Sequence, residues 1–297
     1  MTRRLVIPLM VIVAIVSGCA SRSQVAGQDG LRVSRNIGVA AVNLRGLQQF
    51  RAATGIRPQI VEIYMAVGTP LERTDAAAIV AQEEQPLIQL NPYRVSLQSI
   101  AAGHLDRYFM SLGTALHSLR HSVILSFAPE ANGTWYSWAC HRTPAAVYIA
   151  AWRHVRRVIA RFDKDIIWLW DANQSFPTAC PLLSRWPGAA YVTWVGVDGY
   201  LRTPGATFAN VLAPTIAELR AATGKPVLIA ETGVPDVPEA ASWLASIFAG
   251  AESVPGVVGI VYFNYFDNRR NYILEQDPPA LAVFRRDARL YQTGKGS

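Results

Sequence analysis

Short apolar runs alternate with amphipathic segments along most of the chain. Most of these runs are continuously apolar instead of alternating, which is typical of parallel strands that helices cover. The predicted strands are residues 36–43, 59–67, 86–91, 122–128, 165–171, 191–197, 226–230 and 257–263.

Helical spacing of apolar residues fills several of the intervals between these strands. Such a stripe occupies 105–119. The pair Thr143–Pro144 offers a capping side chain followed by a first-turn proline, and the helix that it opens is expected to direct Phe162 inward. Two further helices, 214–224 and 238–250, are predicted to stop at the glycine that ends each segment.

Eight strands that alternate with helices predict an α/β fold of the (β/α)8 TIM-barrel type, in a single domain. A doubly wound open sheet is the alternative. That fold usually carries a glycine-rich phosphate turn after its first strand, and 43-NLRG-46 has none. The sequence also contains no P-loop, GxSxG elbow or HExxH motif.

The N-terminus has the pattern of an export signal. Residues 1–18 join two arginines to an apolar stretch and end in Val-Ser-Gly before Cys19, which is similar to a bacterial lipobox. We therefore expect a lipid anchor on Cys19, a flexible tether over 19–35, and the barrel domain over 36–297. The protein is then an exported lipoprotein held at a bacterial membrane and facing the cell-envelope exterior. Ordinary secretion after cleavage near Gly18 and an uncleaved anchor are the alternatives.

Composition supports one large core, because 51% of the 297 residues are hydrophobic and 16% are charged. The net charge of +7 comes from scattered basic residues, and the densest group, 153–161, falls on a predicted helix. This distribution favours a solvated helix face over a nucleic-acid surface. His117 and His121 are interpreted as surface or packing residues and not as metal ligands. Neither a metal nor an organic cofactor is expected. Cys140 and Cys180 are expected to form one disulfide, with two free thiols as the alternative.

Two glutamates stand at predicted strand ends. Glu130 follows the fourth strand, and Glu231 follows the seventh, across the barrel mouth. Since the βα loops of such barrels gather at one face, both side chains are expected in one cleft. Paired carboxylates in a cleft are what glycosidic hydrolysis requires. For either residue alone, a helix cap or a salt bridge is an equally good interpretation.

Aromatic residues surround these strand ends. Flat rings can stack on the apolar C–H faces of sugars, although core packing is the competing interpretation and is favoured for Trp152, Trp168 and Trp243. The candidates for sugar stacking are Trp135, Tyr136, Trp138, Trp170, Tyr200, Tyr262, Phe263 and Tyr265.

Several segments resemble glycoside hydrolase family 26, a clan A group of retaining β-mannanases and related β-glucanases and xylanases with a (β/α)8 barrel. The similarity covers most of the domain. Segment 124-ILSFAPEANGTWYSW-138 is similar to the family's acid/base region, 194-WVGVDGY-200 to its sixth strand, and 229-IAETG-233 to its nucleophile strand. Segment 86–109, with Gly103 and Asp106, resembles the region that begins at strand three, and 260-IVYFNYF-266 resembles the last strand.

This resemblance implies Glu130 as the acid/base and Glu231 as the nucleophile. It also implies that Tyr200 hydrogen-bonds the nucleophile and that Trp135 stacks on sugar. Asn132 and Asn173 are implied polar contacts, and Trp138 and Tyr262 complete the predicted substrate-binding set.

The sequence departs from the family pattern near the predicted cleavage point. Pro129 replaces a frequent histidine, Ala131 a methionine, and Ser126 an arginine; Asp171-Ala172 replaces Ser-Pro, and Tyr272 stands where tryptophan is common. These changes leave both carboxylates in place and bear on which sugar is bound.

The resulting hypothesis is a retaining endo-β-glycosidase that acts on a β-linked polysaccharide of the β-1,4-mannan type by a two-glutamate double displacement. A β-glucanase or β-xylanase of the same family is one alternative. A barrel lipoprotein that binds envelope polysaccharide without cutting it is another, and a transglycosylase of the same chemistry is a third.

Overall fold

The computed structural model describes residues 35–200, 203–235, 237–267 and 270–294. The predicted signal peptide 1–18, the anchor position Cys19 and tether residues 19–34 lie outside this range. Residues 33–297 group into one compact unit. Within the described segments, no helix has the length and apolar character needed to cross a bilayer.

Eight parallel strands form a closed barrel in chain order, with β1 pairing with both β2 and β8. The predicted (β/α)8 fold is confirmed, and each observed strand overlaps the predicted one. The strands are β1 (Asn36–Ala41), β2 (Ile60–Ala66), β3 (Gln85–Asn91), β4 (Ile124–Phe127), β5 (Ile167–Asn173), β6 (Trp194–Tyr200), β7 (Val227–Gly233) and β8 (Val257–Asn264).

Helices occupy the connections and bury their apolar stripes against the outside of the barrel. They are α1 (Leu44–Thr54), α2 (Ala76–Val80), α3 (Leu97–Ala101), α4 (Asp106–Ser118), α5 (Ala145–Ile159), α6 (Phe208–Val211), α7 (Ala213–Thr223), α8 (Ala240–Ser253) and α9 (Pro278–Thr293). After β8 comes a short antiparallel pair, β9 (Phe266–Asp267) and β10 (Arg270–Asn271).

The predicted helix ends are partly wrong. α7 stops at Gly224, whose φ is 63°, as expected. α8 instead continues through Gly250 to Ser253, because Gly250 serves close packing: a Cβ there would lie 2.1 Å from the Phe208 ring. Thr143 does not cap α5, since its hydroxyl donates to the Ser137 carbonyl (3.1 Å). Phe162 lies beyond the end of α5 and remains 37% exposed.

The barrel interior is layered along the strand direction, because every second side chain of a barrel strand points inward. Near the strand starts, an apolar layer contains Ile60, Leu87, Ile124 and Leu169. Two residues further on, the same strands carry buried polar groups: Glu62, Gln89, Ser126 and Asp171. A polar layer therefore lies directly beneath the barrel mouth.

The predicted disulfide is present between Cys140 and Cys180. It joins the loop after β4 to the loop after β5, which also meet where the Cys180 amide donates to the Asn132 carbonyl (3.1 Å). The two loops that carry Glu130 and Asn173 are thus fixed to each other by a covalent bond and by backbone pairing.

Candidate active site

The backbone around Glu130 is held in a conformation that L-residues seldom adopt. Ala128 (φ 49°) and Glu130 (φ 52°) are both left-handed and flank Pro129. Each such residue costs on the order of 1–3 kcal/mol and persists only where its surroundings fix it. Here the Ala128 carbonyl accepts from the Tyr148 hydroxyl (3.0 Å), and the Pro129 carbonyl accepts from the Trp138 indole (2.7 Å).

The same turn is fixed to the neighbouring strands. The Ala128 amide donates to the Leu90 carbonyl of β3, and the Glu130 amide donates to the Asp171 carbonyl of β5, each at 3.0 Å. Strain of this kind, fully supported by hydrogen bonds, is typical of functional turns. The strained turn places the Glu130 carboxylate at the barrel mouth, directly after an apolar strand.

Two side chains orient the Glu130 carboxylate. Asn173 donates from Nδ2 to Oε1, and the indole of Trp135 donates to Oε2 at 2.9 Å. Gly133 makes this position of Trp135 possible, since a Cβ on Gly133 would lie 2.6 Å from the indole. The other face of Trp135 stacks on Phe176 (5.8 Å between centroids, 19° between planes), and the residue is 40% exposed.

Glu231 reaches the mouth through an irregularity in β7. Val197 of β6 pairs with Ile229, but the next residue, Asp198, pairs with Glu231, so Ala230 is an extra residue in the ladder. A bulge of this kind changes the direction of a side chain. The tyrosine hydroxyls of Tyr200 and Tyr64 then donate to the two oxygens of Glu231, at 2.8 Å in the case of Tyr64.

Glu130 and Glu231 line the same cavity, whose volume is about 420 Å³. Aromatic and acidic side chains make the rest of its wall: Trp135, Tyr136, Tyr200, Phe263, Asp267 and Tyr272. Tyr200 meets Phe263 and Tyr272 edge-on, with centroids 5.6 and 5.7 Å apart. The cleft thus combines two carboxylates with a continuous aromatic wall.

Burial raises the pKa of the Glu231 carboxyl, and the charge of Asp267 adds to this effect. Hydrogen bonds from Tyr200 and Tyr64 act in the opposite direction, because they stabilise the ionised form. Glu231 is therefore a half-buried carboxyl whose negative charge is stabilised by directed phenol donors.

Glu62 is a second buried acid beside Glu231. Burial raises its pKa well above the usual range, followed by the charge of Glu231, while a hydrogen bond from Gln89 (2.8 Å) opposes the shift. These effects favour the protonated form of Glu62.

Two aspartates complete the buried acidic layer. Burial raises the pKa of both Asp171 and Asp198 well above the usual range, and for Asp198 the charge of Asp171 adds most to the burial effect. Asp171 also accepts from Gln89 (3.0 Å). Burial of the layer therefore favours the protonated forms of its carboxyls.

This layer predicts how stability depends on pH. The folded-state pKa of Asp198 exceeds its unfolded value of about 3.9. At pH values between these two pKa values the folded protein binds more protons than the unfolded protein, so stability falls as pH rises through that interval. Asp198→Asn mimics the protonated acid at every pH. We expect it to leave urea stability near pH 4 unchanged and to raise it by about 1–3 kcal/mol at pH 7.5. Glu218→Gln, on the exposed face of α7, is the control and should have no effect at either pH. Equal stability of Asp198→Asn and wild type at pH 7.5 would refute the neutral-acid interpretation.

The structure brings the principal predicted residues together. Glu130, Glu231, Trp135 and Tyr200 line one cavity, and the expected hydrogen bond from Tyr200 to Glu231 is present. Asn173 is 2% exposed and contacts Glu130 through its amide. The roles of these residues toward a ligand remain predictions.

Three of the predicted substrate contacts are buried. Trp138 and Tyr262 are each 1% exposed: the Trp138 indole donates to the Pro129 carbonyl of the Glu130 turn (2.7 Å), and the Tyr262 hydroxyl donates to the Tyr272 carbonyl (3.0 Å). Asn132 is 3% exposed; its side-chain amide donates to the Asn173 carbonyl (2.7 Å), and its side-chain oxygen accepts from the Asn173 amide (2.9 Å). Asn132 thus positions Asn173, and the role of all three residues toward a ligand stays a prediction.

Sequence reasoning missed Tyr64 and the acidic layer. Tyr64 is 38% exposed at the end of β2 and donates to Glu231. The sequence signal that could have revealed the acidic layer is a carboxyl or amide side chain inside an otherwise apolar strand, as at Glu62, Gln89, Asp171 and Asp198. These residues occur two to four positions before the end of a strand, where an inward side chain lies just below the mouth.

A metal has few candidate ligands in the described part of the chain. The group of side chains close enough to hold an ion is Cys140, His141 and Cys180. Both sulfurs of that group are joined in the disulfide, so neither is a thiolate. The carboxylates of the cleft are instead held by amide, indole and phenol donors.

Comparison with known proteins agrees with this geometry. Residues 93–237, which include both cleft glutamates, match the sequence model of glycosyl hydrolase family 26. Endoglucanase H of Acetivibrio thermocellus is 24% identical over 302 residues, an alignment that covers 96% of this chain and 33% of that protein. The chain thus spans about a third of the length of this relative.

Solved structures show the same fold at low sequence identity. A modular endo-β-1,4-mannanase from Cellulomonas fimi has a TM-score of 0.68 and 16% identity, over 86% of this chain and 70% of that one. The Bacillus subtilis mannanase BCman has a TM-score of 0.66 and 15% identity, over 85% of each chain. The β-mannanase BoMan26A from Bacteroides ovatus has a TM-score of 0.66 and 13% identity, over 88% and 90%. The match to the family model confirms the predicted resemblance to glycosyl hydrolase family 26, and the solved structures show the same barrel fold.

Proposed function

We propose that the protein is a retaining endo-β-glycosidase that hydrolyses a β-linked polysaccharide. The observation that carries this proposal is the convergence of Glu130, in the turn after β4, and Glu231, on β7, on one cavity, although β4 and β7 are not neighbours in the barrel. Two carboxyl groups that flank one bond supply the proton donor and the nucleophile that glycoside cleavage needs.

The hydrogen bonds support a separate role for each glutamate. Glu231 accepts hydrogen bonds from Tyr200 and Tyr64, which favour its ionised form and suit it to act as the nucleophile. Glu130 lies against Trp135 and Asn173 at the other side of the cavity, where it serves as acid and base.

The reaction then proceeds in two displacements. Glu130 gives its proton to the glycosidic oxygen as that C–O bond breaks, and an oxygen of Glu231 bonds to the anomeric carbon. In the second step, Glu130 removes a proton from water. The water oxygen bonds to the same carbon, and the glycosyl–Glu231 ester breaks. Two inversions leave the configuration of the sugar unchanged.

The proposed substrate is a β-1,4-mannan-like polysaccharide. The compared proteins are named as mannanases and as an endoglucanase. β-Glucan is therefore one alternative substrate, and xylan is another because the resembled family includes xylanases. An aromatic wall suits the apolar faces of any of these sugars. The substitutions at Ser126, Pro129 and Tyr272 lie on or beside the strands that carry the two glutamates, where they bear on sugar choice.

A panel of mannan, mixed-linkage β-glucan and xylan tests this proposal. We expect reducing ends and short oligosaccharides to appear from at least one polymer, mannan being the first candidate. Binding to a polymer of the panel without release from any of them would favour the alternative function, a non-catalytic polysaccharide-binding lipoprotein.

We also propose export and lipid attachment at Cys19, on the strength of the sequence pattern Val-Ser-Gly-Cys after a basic and apolar leader. Metabolic labelling with a fatty acid in a bacterial host should label the wild type but not Cys19→Ser. Equal labelling of both proteins would contradict the proposal.

The two phenols on Glu231 yield a prediction about pH. Tyr200→Phe or Tyr64→Phe removes a hydrogen bond that lowers the pKa of Glu231, so the carboxyl must lose its proton at a higher pH. Because the ionised form attacks, the acid limb of kcat/KM should move to higher pH, and kcat/KM at the optimum should fall about 10- to 100-fold. Tyr108→Phe, whose hydroxyl bonds the Thr69 carbonyl away from the cleft, is the matched control. An unchanged acid limb in both variants would contradict the assigned role.

A further inference from the structure

A second cavity of about 420 Å³ lies beside the catalytic cleft, between the loop after β3 and the loop after β4. We call it the arginine cavity, because its lining includes Arg94 and Arg142 and, among the described residues, no aspartate or glutamate. Its volume falls within the range of about 300–1,000 Å³ that is common for small-molecule sites.

The two arginines are available to a ligand. Both side chains are exposed. Neither forms an ion pair with any carboxylate in the segments that the structure describes, whereas Arg51, for example, is paired with Glu84. Guanidinium groups bind carboxylates in a planar, two-pronged geometry, which a pair of arginines on facing loops is suited to provide.

An aromatic pair separates the arginine cavity from the catalytic cleft. Tyr136 lines the cleft, and Tyr93 lines the arginine cavity, with 6.2 Å between the ring centroids. Both rings rest on Trp138, at 5.5 Å for Tyr93 and 4.2 Å for Tyr136. Tyr93 is 51% exposed, so its ring is accessible to a sugar chain that extends from the cleft.

The electrostatics show how near the two cavities are. Tyr136, whose ring centroid lies 6.2 Å from that of Tyr93, lines the cleft with both glutamates. Burial raises the pKa of Tyr93, and the charges of Glu231 and Glu130 raise it further. A glycan bound across the cleft therefore needs to extend only past Tyr136 and Tyr93 to meet the guanidinium groups. The cleft itself is acidic, and the adjoining cavity is basic.

We propose that the arginine cavity is a subsite for an anionic substituent, a uronic acid carboxylate, carried by a polysaccharide whose neutral backbone lies in the catalytic cleft. This rests on the proposed glycosidase function, which supplies the bound backbone. Arg94 and Arg142 hold the carboxylate, and Tyr93 supports the sugar ring that links it to the backbone.

Paired probes that differ only in charge test the proposal. One pair is galactomannan and the same polymer with its galactose side groups oxidised at C6 to uronates. The other pair is an unbranched xylo-oligosaccharide and the same backbone bearing a glucuronic acid side group. Binding is measured by calorimetry in a Glu231→Gln background, which prevents turnover, and kcat/KM is measured in the catalytically intact protein.

We expect the charged member of at least one pair to bind about tenfold or more tightly than its neutral partner. That preference should disappear in Arg94→Ala/Arg142→Ala, with neutral-polymer affinity within twofold of the parent. Arg157→Ala removes an exposed arginine on α5 that lines neither cavity, and it should keep the preference.

Equal binding of both members of each pair, absence of binding by both charged probes, or a preference that survives the double substitution would overturn the anionic subsite. Failure of the glycosidase proposal is distinguishable from these results. A protein that binds the charged probe through Arg94 and Arg142 but cleaves no polymer retains the subsite and lacks the activity. A protein that cleaves the neutral polymers without charge preference retains the activity and lacks the subsite.

Discussion

Glu231→Ala is expected to lower kcat on the polysaccharide by about 10⁴-fold or more, the magnitude typical of removing a nucleophile. The variant keeps Glu130 as a proton donor but has no oxygen to bond to the anomeric carbon. Added azide fits the space left by the carboxylate and attacks from that side. From an aryl β-glycoside, the variant should therefore release the α-glycosyl azide, which mass spectrometry and NMR identify.

The fold should survive this change, because Tyr64, which loses its acceptor, is 38% exposed and Tyr200 lines the cleft. Circular dichroism and the urea midpoint check that point. Glu218→Ala, an exposed glutamate of α7, is the control and should keep wild-type activity. Near-normal turnover by Glu231→Ala, or a β-glycosyl azide as its product, would remove Glu231 from the reaction.

Glu130→Ala is expected to lower kcat/KM on the polysaccharide by about 10²- to 10⁴-fold, the usual contribution of a general acid. The loss should shrink on an aryl glycoside with an acidic phenol, because that leaving group departs without a proton. With such a substrate, the glycosyl-enzyme forms but water is no longer activated, so the second step limits the rate.

Azide then separates the two glutamates by stereochemistry. In Glu130→Ala it attacks the glycosyl-enzyme and should release the β-glycosyl azide, the opposite anomer to that from Glu231→Ala. A second variant, Glu130→Gln, keeps the size of the side chain and should be as poor on the polysaccharide. If polysaccharide and aryl glycoside lost activity equally, Glu130 would not be the proton donor to the leaving group.

The barrel was predictable because its strands and helices have separate periodicities. Continuous apolar runs such as that of β5 can be buried on both faces only in a parallel sheet with helices over it. Helix ends were less predictable. Gly250 looks like a stop signal along the chain, but its role is to admit the Phe208 ring from another helix. Such contacts between distant residues leave no local pattern.

In the site, the two glutamates were predictable and the contacts that support them were not. Glu130 and Glu231 follow apolar strands, and position after a strand is a local property. The support beneath them was not predicted, because it depends on pairing between strands: the extra residue Ala230 that directs Glu231, and the backbone contact between Asn132 and Asn173. The burial of Trp138 was not predictable for the same reason, since its sequence neighbours do not show that its indole bonds the Pro129 carbonyl of the Glu130 turn.

The central claim is that the two glutamates act in turn on one anomeric carbon. Proton NMR of the first product formed from a β-linked oligosaccharide tests it most directly. The account predicts that the β-anomer appears first and that the α-anomer accumulates only by later mutarotation. An α-anomer as the first product would mean a single displacement by water, and would contradict a covalent role for Glu231.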